Sequence, residues 1–448
     1  MEQMDSTVIA TSLPAIAGDI GTEPVALKLA LTSYFVALAI FIPISGWMSD
    51  RFGARNVFRL AILVFVLGSI SCAFSGSLEA FVISRFFQGM GASMMTPVGR
   101  LLLVRSTPRS ELISAMAWLT IPSLVGPIMG PPVGGFLTTY LSWHWIFWIN
   151  VPIGLAGIVL AGRFLPQGDH RTPRPIDAFG FVLASIAFSG AVFGLSVISL
   201  PALPIVYGYL AIALGLVAGL LYLMHARRSA FPLLDPAMFR YPLFRAAAIG
   251  GSTFRIGIGA IPFLLPLMLQ LGFGLSPFES GMITFVGAIG ALGSKFFAEK
   301  VFAALGFRRV LAVGALVSGA FIGLNGFFFP QTPSWIIMGA LLVGGVFRST
   351  LFTGLNALSF ADVDEADVSQ ATAINAVLQQ LSQAFGVALA GGILSISASM
   401  HGGELGLLDF HLAFWLVGTI SAVAGIAFFR LPADAGREVS GHKHRLGP

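Results

Sequence analysis

Asp5 opens the run Met4-Asp5-Ser6-Thr7-Val8-Ile9-Ala10-Thr11-Ser12-Leu13-Pro14, which otherwise reads as a membrane helix. Of the 20 acidic residues, only Glu2, Asp5 and, marginally, Glu299 fall inside an apolar run. A carboxylate at membrane depth is costly and marks a functional site by default. Where water is scarce, the chemistry open to it is taking up and releasing a proton. Arg85 lies about six residues into another apolar run. A guanidinium there either pairs with a helix carboxylate or snorkels outward. Arg255 and Arg348 lie at similar depth further along. Arg255, beside Gly257 and Gly259, is expected to face a cavity. Arg348, nearer the cytoplasmic end, divides between that role and snorkelling. Asn375, Gln379 and Gln383 recur every four residues and share one helix face. That face must meet protein or water rather than lipid. Inter-helix hydrogen bonds and contacts with a substrate account for it equally well.

The elements that position these groups follow from composition. Of the 448 residues, 56% are hydrophobic and only 10% charged, against roughly 25% charged in soluble domains. The class is an all-α polytopic membrane protein. A β-barrel would show short alternating segments instead. Runs long enough to span occur at 3–18, 28–48, 57–75, 79–103, 112–139, 145–165, 178–198, 203–224, 244–271, 279–300, 308–329, 333–356, 370–398 and 410–430. The lone Cys72 rules out an internal disulfide and reads as a packing residue. Trp143, His144 and Trp145 border the outer surface and read as part of an aromatic belt.

Basic residues set the orientation, because they gather in cytoplasmic loops. With the loop after the second span inside, one face holds Arg51, Arg55, Arg59, Arg105, Arg109, Arg163, Arg171, Arg174, Arg227, Arg228, Arg240, Arg245, Lys300, Arg308, Arg309, Arg430, Arg437, Lys443 and Arg445, and the other only Lys28. Both termini are then cytoplasmic. The same asymmetry accounts for the net charge of +5 without nucleic acid. The order Gly53-Ala54-Arg55-Asn56-Val57-Phe58 returns as Gly306-Phe307-Arg308-Arg309-Val310-Leu311. Weak symmetry between halves is a mark of secondary transporters. The expected organisation is an N-terminal six-helix bundle over 1–165, a linker and inserted hairpin over 166–242, a C-terminal six-helix bundle over 243–430 and a cytoplasmic tail over 431–448.

Two further segments carry physical signals. In Gly46-Trp47-Met48-Ser49-Asp50-Arg51-Phe52-Gly53-Ala54-Arg55, Gly46 permits close helix approach and Gly53 a tight turn. Asp50 and Arg51 put opposite charges at the cytoplasmic edge, where one conformation could make an inter-helix ion pair and another break it. In Gly126-Pro127-Ile128-Met129-Gly130-Pro131-Pro132-Val133-Gly134-Gly135, the prolines deform a helix and the glycines smooth it. Neighbours could pack closely on such a helix and slide.

The first of these segments resembles the loop 2–3 signature of the major facilitator superfamily. Arg85-Phe86-Phe87-Gln88-Gly89-Met90-Gly91-Ala92 resembles its fourth-span motif, in which the arginine is linked to proton coupling. The Gly126–Gly135 segment resembles its antiporter motif. The Asp5 run resembles the first-span motif of the fourteen-helix drug:proton antiporters of EmrB/QacA type, and Trp143-His144-Trp145-Ile146-Phe147-Trp148-Ile149-Asn150-Val151-Pro152 is also familiar from that group. The matches cover the N-terminal bundle. Ala54 departs from the usual basic residue, and Arg55 keeps a charge beside it. The resemblance implies the major facilitator fold, with two six-helix bundles plus a two-helix central insertion. It also implies export of small amphipathic or drug-like compounds across the inner membrane, driven by protons and proceeding by rocking of two bundles. Asp5 and Arg85 would couple the protons. Gly46, Asp50, Arg51, Gly53, Arg55, Gly126, Pro127, Gly130, Pro131, Gly134 and Gly135 would serve the conformational switch. Arg255, Arg348, Asn375, Gln379 and Gln383 would meet the substrate.

The expected partners are a small-molecule substrate, protons and the lipid bilayer, with an adaptor protein and an outer-membrane channel open as further ones. No cofactor or metal is expected: the sequence carries no Gly-x-x-x-x-Gly-Lys-Ser/Thr loop for ATP, no strand-preceded dinucleotide loop and no Cys/His zinc spacing. An enzyme would need more than Asp5 and Arg85. A channel would need a ring or filter, and none is visible. The deep arginines outnumber the acids, which keeps export of an organic anion or metal chelate as the alternative. At 1.5 Å per residue Asp5 stands only about 6 Å from Met1, whereas the matching acid of the family sits mid-span. The first helix is therefore expected to continue upstream by roughly 10–20 residues. An in-frame apolar stretch in the coding sequence before Met1 checks this, and its absence would place Asp5 near the cytoplasmic surface.

Overall fold

The computed structural model describes residues 2–22, 27–165, 175–199, 204–275, 277–400 and 406–440. The linker arginines Arg171 and Arg174 and the tail residues Lys443 and Arg445 lie outside the described residues. Helices fill almost all of the rest, and no strand occurs among the described residues. In chain order they are α1 (Glu2–Ile20), α2 (Lys28–Phe41), α3 (Ser45–Phe52), α4 (Ala54–Ala73), α5 (Leu78–Ser106), α6 (Leu112–Tyr140), α7 (Trp145–Trp148), α8 (Asn150–Phe164), α9 (Ala178–Ser199), α10 (Ile205–Ala226), α11 (Pro242–Leu267), α12 (Pro277–Gly293), α13 (Ala298–Leu324), α14 (Ser334–Leu358), α15 (Val368–Met400), α16 (Leu407–Phe429) and α17 (Arg437–Ser440).

Each expected span falls on one of these helices or on a broken pair. Among the described residues, nine helices are long and apolar enough to cross a membrane. A tenth span results if Leu29–Phe41 and Ser45–Phe52 count together across their 57° bend. Pro43 lies in that break, where it removes a backbone donor. The chain is a multi-pass membrane protein.

The internal repeat is a backbone repeat. Gly53 turns α3 into α4 with φ 82°, and Gly306 bends α13 with φ 73°. Side chains rarely adopt that left-handed region, so glycine is required at both turns. The stretch before Gly306 is helical from Ala298 and so runs on through 301–305, which the sequence leaves as a loop between the spans 279–300 and 308–329. Its Glu299 and Lys300 are exposed.

The described helices form two compact units. One comprises Met1–Ser106, Pro122–Met238 and Glu365–Val377, the other Thr107–Ile121, Phe239–Asp364 and Leu378–Pro448. The α9–α10 hairpin belongs to the first. There the Thr32 and Ser196 hydroxyls meet at 2.9 Å, joining α2 to α9. Val8, Ile16, Cys72, Phe81 and Phe147 lie in its core. Trp143 is buried in that core rather than placed in a belt, because its indole Nε1 reaches the Asp19 carboxylate at 3.0 Å and its ring packs on Phe81 and Phe147. The second unit has its own core, which includes Leu264, Met268, Phe328, Phe410 and Phe414.

Backbone proximity fixes α5 within the first unit. A Cβ on Gly91 would stand 2.8 Å from the Ala61 carbonyl oxygen on α4, and one on Gly89 2.6 Å from the Tyr34 carbonyl oxygen on α2. Backbone atoms cannot swing aside as a side-chain tip can. Replacing Gly91 by valine should therefore force α4 and α5 apart and cost at least about 1–3 kcal/mol of stability. Thermal unfolding of the purified protein in detergent would register this as a large fall in Tm, and an unchanged Tm would refute the packing argument.

Candidate functional site

α1, α5 and α8 bring one charged cluster together inside the first unit. The Arg85 guanidinium donates through Nη1 to Asp5 Oδ2 at 2.6 Å. Gln88, one turn along α5, donates through Nε2 to Asp5 Oδ1 at 2.9 Å. Asn150, the first residue of α8, donates to the same oxygen at 3.0 Å. Arg85 Nη1 also reaches Gln88 Oε1 at 2.5 Å, and the Arg85 guanidinium lies 4.3 Å from the Tyr34 ring centre. Arg85 and Gln88 are 0% exposed and Asp5 4%. The three described side chains thus give the buried carboxylate its hydrogen bonds. Below them the Cys72 thiol faces Gln88 Oε1 at 3.6 Å, which gives this packing residue a polar contact.

The cluster follows from local geometry. Positions three apart on a helix share a face, so Arg85 and Gln88 point the same way. The backbone contacts at Gly89 and Gly91 hold that face against α2 and α4. Asp5 and Arg85, singled out separately in the sequence, are in direct contact. Gln88 and Asn150 complete the site and were not singled out, although both stand in segments that carry the family resemblance. Their available signal was an amide inside an apolar run.

The residues of the expected switch stand at the end of α3. Asp50 accepts from Arg105 on α5 at 2.7 Å and from the Ser369 hydroxyl on α15 at 2.5 Å. The inter-helix ion pair thus uses Arg105, which from the sequence reads only as a topology signal. Arg51 is exposed. Gly46 admits α15 closely, since a Cβ there would meet the Ser369 carbonyl oxygen at 2.8 Å. Arg55 donates to the Gly162 carbonyl in the last turn of α8, where positive charge complements the helix dipole. On α6 the backbone stays helical from Leu112 to Tyr140, through Pro127, Pro131 and Pro132. Gly126, Gly130 and Gly134 are buried at spacings of four. The side chains of Pro127 and Pro131 and the surroundings of Gly135 lie outside the described residues.

The expected substrate residues are spread over three helices. Arg255 on α11 is fully buried, 3.5 Å from Asn356 Oδ1 and 5.7 Å from the Phe352 ring centre, both on α14. Arg348 on α14 is half-buried. Asn375, Gln379 and Gln383 lie on α15; Asn375 is buried and the two glutamines half-buried. The Lys295 ammonium, buried just past α12, donates to the Thr353 hydroxyl at 2.6 Å and the Ser349 carbonyl at 3.3 Å. Among the described residues no three His, Cys, Asp or Glu side chains gather as a metal site would need.

The Major Facilitator Superfamily profile matches residues 1–247 and 247–446. The chain is 36% identical to the "Putative multidrug resistance protein MdtD" of Salmonella paratyphi A, over 97% of this chain and 93% of that protein. The protein of the same name from Salmonella typhimurium is 35% identical over the same shares. Two solved structures share the fold. The human organic anion transporter MFSD10 aligns at TM-score 0.68 with 13% identity, covering 95% of this chain and 96% of its own. The proton:xylose symporter XylE aligns at 0.65 with 15% identity, covering 97% and 94%.

Removing the guanidinium would leave a carboxylate buried without its countercharge. Arg85→Ala should cost about 3–5 kcal/mol. Adding Asp5→Asn should recover most of that loss, because a neutral amide needs no countercharge. Unfolding measurements on the two single variants and the double variant give the coupling, and additive losses would mean that the pair contributes nothing as a pair.

Proposed function

The chain belongs to the major facilitator superfamily, and from that premise we propose that it is a proton-coupled exporter of small amphipathic, drug-like compounds. The observation that carries the reading is the buried cluster of Asp5, Arg85, Gln88 and Asn150. A buried carboxylate held by one cation is neutralised when a proton arrives, and the guanidinium then loses its partner. Substrate release and proton uptake at opposite stages of the cycle would follow from that exchange. The name shared by the bacterial relatives supports drug-like cargo.

In this reading the protein sits in the inner membrane with both termini in the cytoplasm, and export proceeds by alternating access. A proton drawn inward through roughly 100 mV releases about 2.3 kcal/mol, enough for roughly fifty-fold accumulation of a neutral substrate. Asp50 with Arg105, Gly46, Gly53, Arg55 and the α6 glycines would serve the conformational change. Arg255, Arg348, Asn375, Gln379 and Gln383 would line the substrate path. An adaptor protein could pass cargo on to an outer-membrane channel.

One observation favours a second reading, export of an organic anion or metal chelate. The partners described for the buried Lys295 are neutral oxygens, so its charge is open to an anion.

Inverted vesicles loaded in parallel with labelled tetraphenylphosphonium and labelled salicylate separate the readings. Uptake of the cation supports the first and uptake of the carboxylate the second. Asp5→Asn should abolish proton-driven uptake of whichever probe is carried while leaving folded protein in the membrane. Normal uptake against a gradient by that variant would remove Asp5 from the mechanism.

A further inference from the structure

We propose that Asn150 is a positioning residue that reports the charge of Asp5 to α7 and α8. The inference rests on the reading of Asp5 as the proton carrier.

The hydrogen bonds around Asn150 have a fixed direction. An ionised carboxylate only accepts, so Asp5 Oδ1 must receive an N–H from Asn150. The second N–H of the same amide meets Ser69 Oγ at 3.0 Å. Ser69 has committed its own proton to the Phe147 carbonyl at 3.0 Å, so its oxygen is left to accept. Asn150 therefore links Asp5 on α1 to Ser69 on α4, and through it to Phe147 on α7. No end of this chain can reverse while Asp5 is charged.

Protonation undoes that arrangement. A hydrogen on Oδ1 would confront the N–H groups of both Gln88 and Asn150, and one on Oδ2 would confront Arg85. The neutral acid has one lone pair fewer to offer, and its three donors are held less strongly. Arg85 and Gln88 stand on one helix and are bonded to each other, and Gln88 also accepts from Cys72. Asn150 is the one donor to Asp5, among the described residues, that does not belong to α5. It stands at the junction of α7 and α8, separated from Trp148 only by Ile149. It is the donor that yields, and its release frees the start of α8 from α1. The titratable groups facing this chain of bonds are Asp5 on α1, Tyr34 on α2, Cys72 on α4 and Arg85 on α5. α8 adds only Arg163, at its far end, and α7 adds none.

The test uses the full-length protein in proteoliposomes with the probe that wild type transports, tetraphenylphosphonium or salicylate. Asn150→Leu keeps the size and removes both donors. The pH midpoint of proton-driven transport should move upward by about one unit, because the charged form of Asp5 has lost a donor. Ser69→Ala leaves the bond to Asp5 intact but removes the anchor of Asn150, so its midpoint should move the same way by less. A uniform fall in rate at an unchanged midpoint, in both variants, would overturn the inference and reduce Asn150 to packing. If Asn150→Leu fails to fold, Ser69→Ala decides: a shifted midpoint supports the proposal and a wild-type midpoint refutes it. Asp5→Asn runs alongside. If that variant loses proton coupling while the Asn150 and Ser69 variants keep the wild-type midpoint, only the present inference fails. If it retains coupling, the reading of Asp5 fails and this inference with it.

Discussion

A carboxylate taken out of water costs several kcal/mol even after its surroundings relax, and only a close countercharge with full hydrogen bonding offsets that cost. The first unit meets this demand around Asp5. Arg85 supplies the charge, and Gln88 and Asn150 occupy the other oxygen. Three helices must then hold their places to within a few tenths of an ångström. The glycine contacts of α5 with α2 and α4 make that possible, because backbone lying against backbone leaves no side chain to adjust. The small residues and the charged cluster are one construction.

The second ion pair obeys a different balance. Asp50 and Arg105 keep side-chain exposures of 26% and 22%, against 2% and 1% for Asp5 and Arg85. A pair wetted to that degree contributes roughly 0.2–1 kcal/mol. Thermal energy of that order can open it. Removing one partner of the buried pair costs more, about 3–5 kcal/mol. Burial alone thus divides the two acids into one enclosed by protein and one partly open to solvent.

The fold could be read from the sequence because apolar runs of span length leave few alternatives in a bilayer. The turn at Gly306 could be read too, since its surroundings repeat those of Gly53. Partners were harder. Asp5 and Arg85 are separated by 80 residues and Asp50 and Arg105 by 55, and no periodicity connects positions on different helices. Gln88 and Asn150 look like ordinary polar residues until α1 and α8 meet. The helical stretch over 301–305 is not legible as an element of its own, because the run between Lys300 and Gly306 is too short to show a period. Residue type alone points Trp143 to an interface, whereas its indole is buried with the Asp19 carboxylate as its hydrogen-bond partner.

Repetition of the backbone did not carry the chemistry with it. Three residues before Gly53 stands Asp50, and three before Gly306 stands Ala303; Arg51 is matched by Ala304. Two residues after each glycine the arginine persists, as Arg55 and Arg308. The shared feature is the left-handed turn followed by a positive charge, which serves helix geometry and topology. The carboxylate that pairs across helices is kept only in the first half. That half also holds Asp5, while the second holds the buried Arg255 and Lys295. Two copies of one bend thus keep the turn and its arginine while only the first keeps the carboxylate beside it.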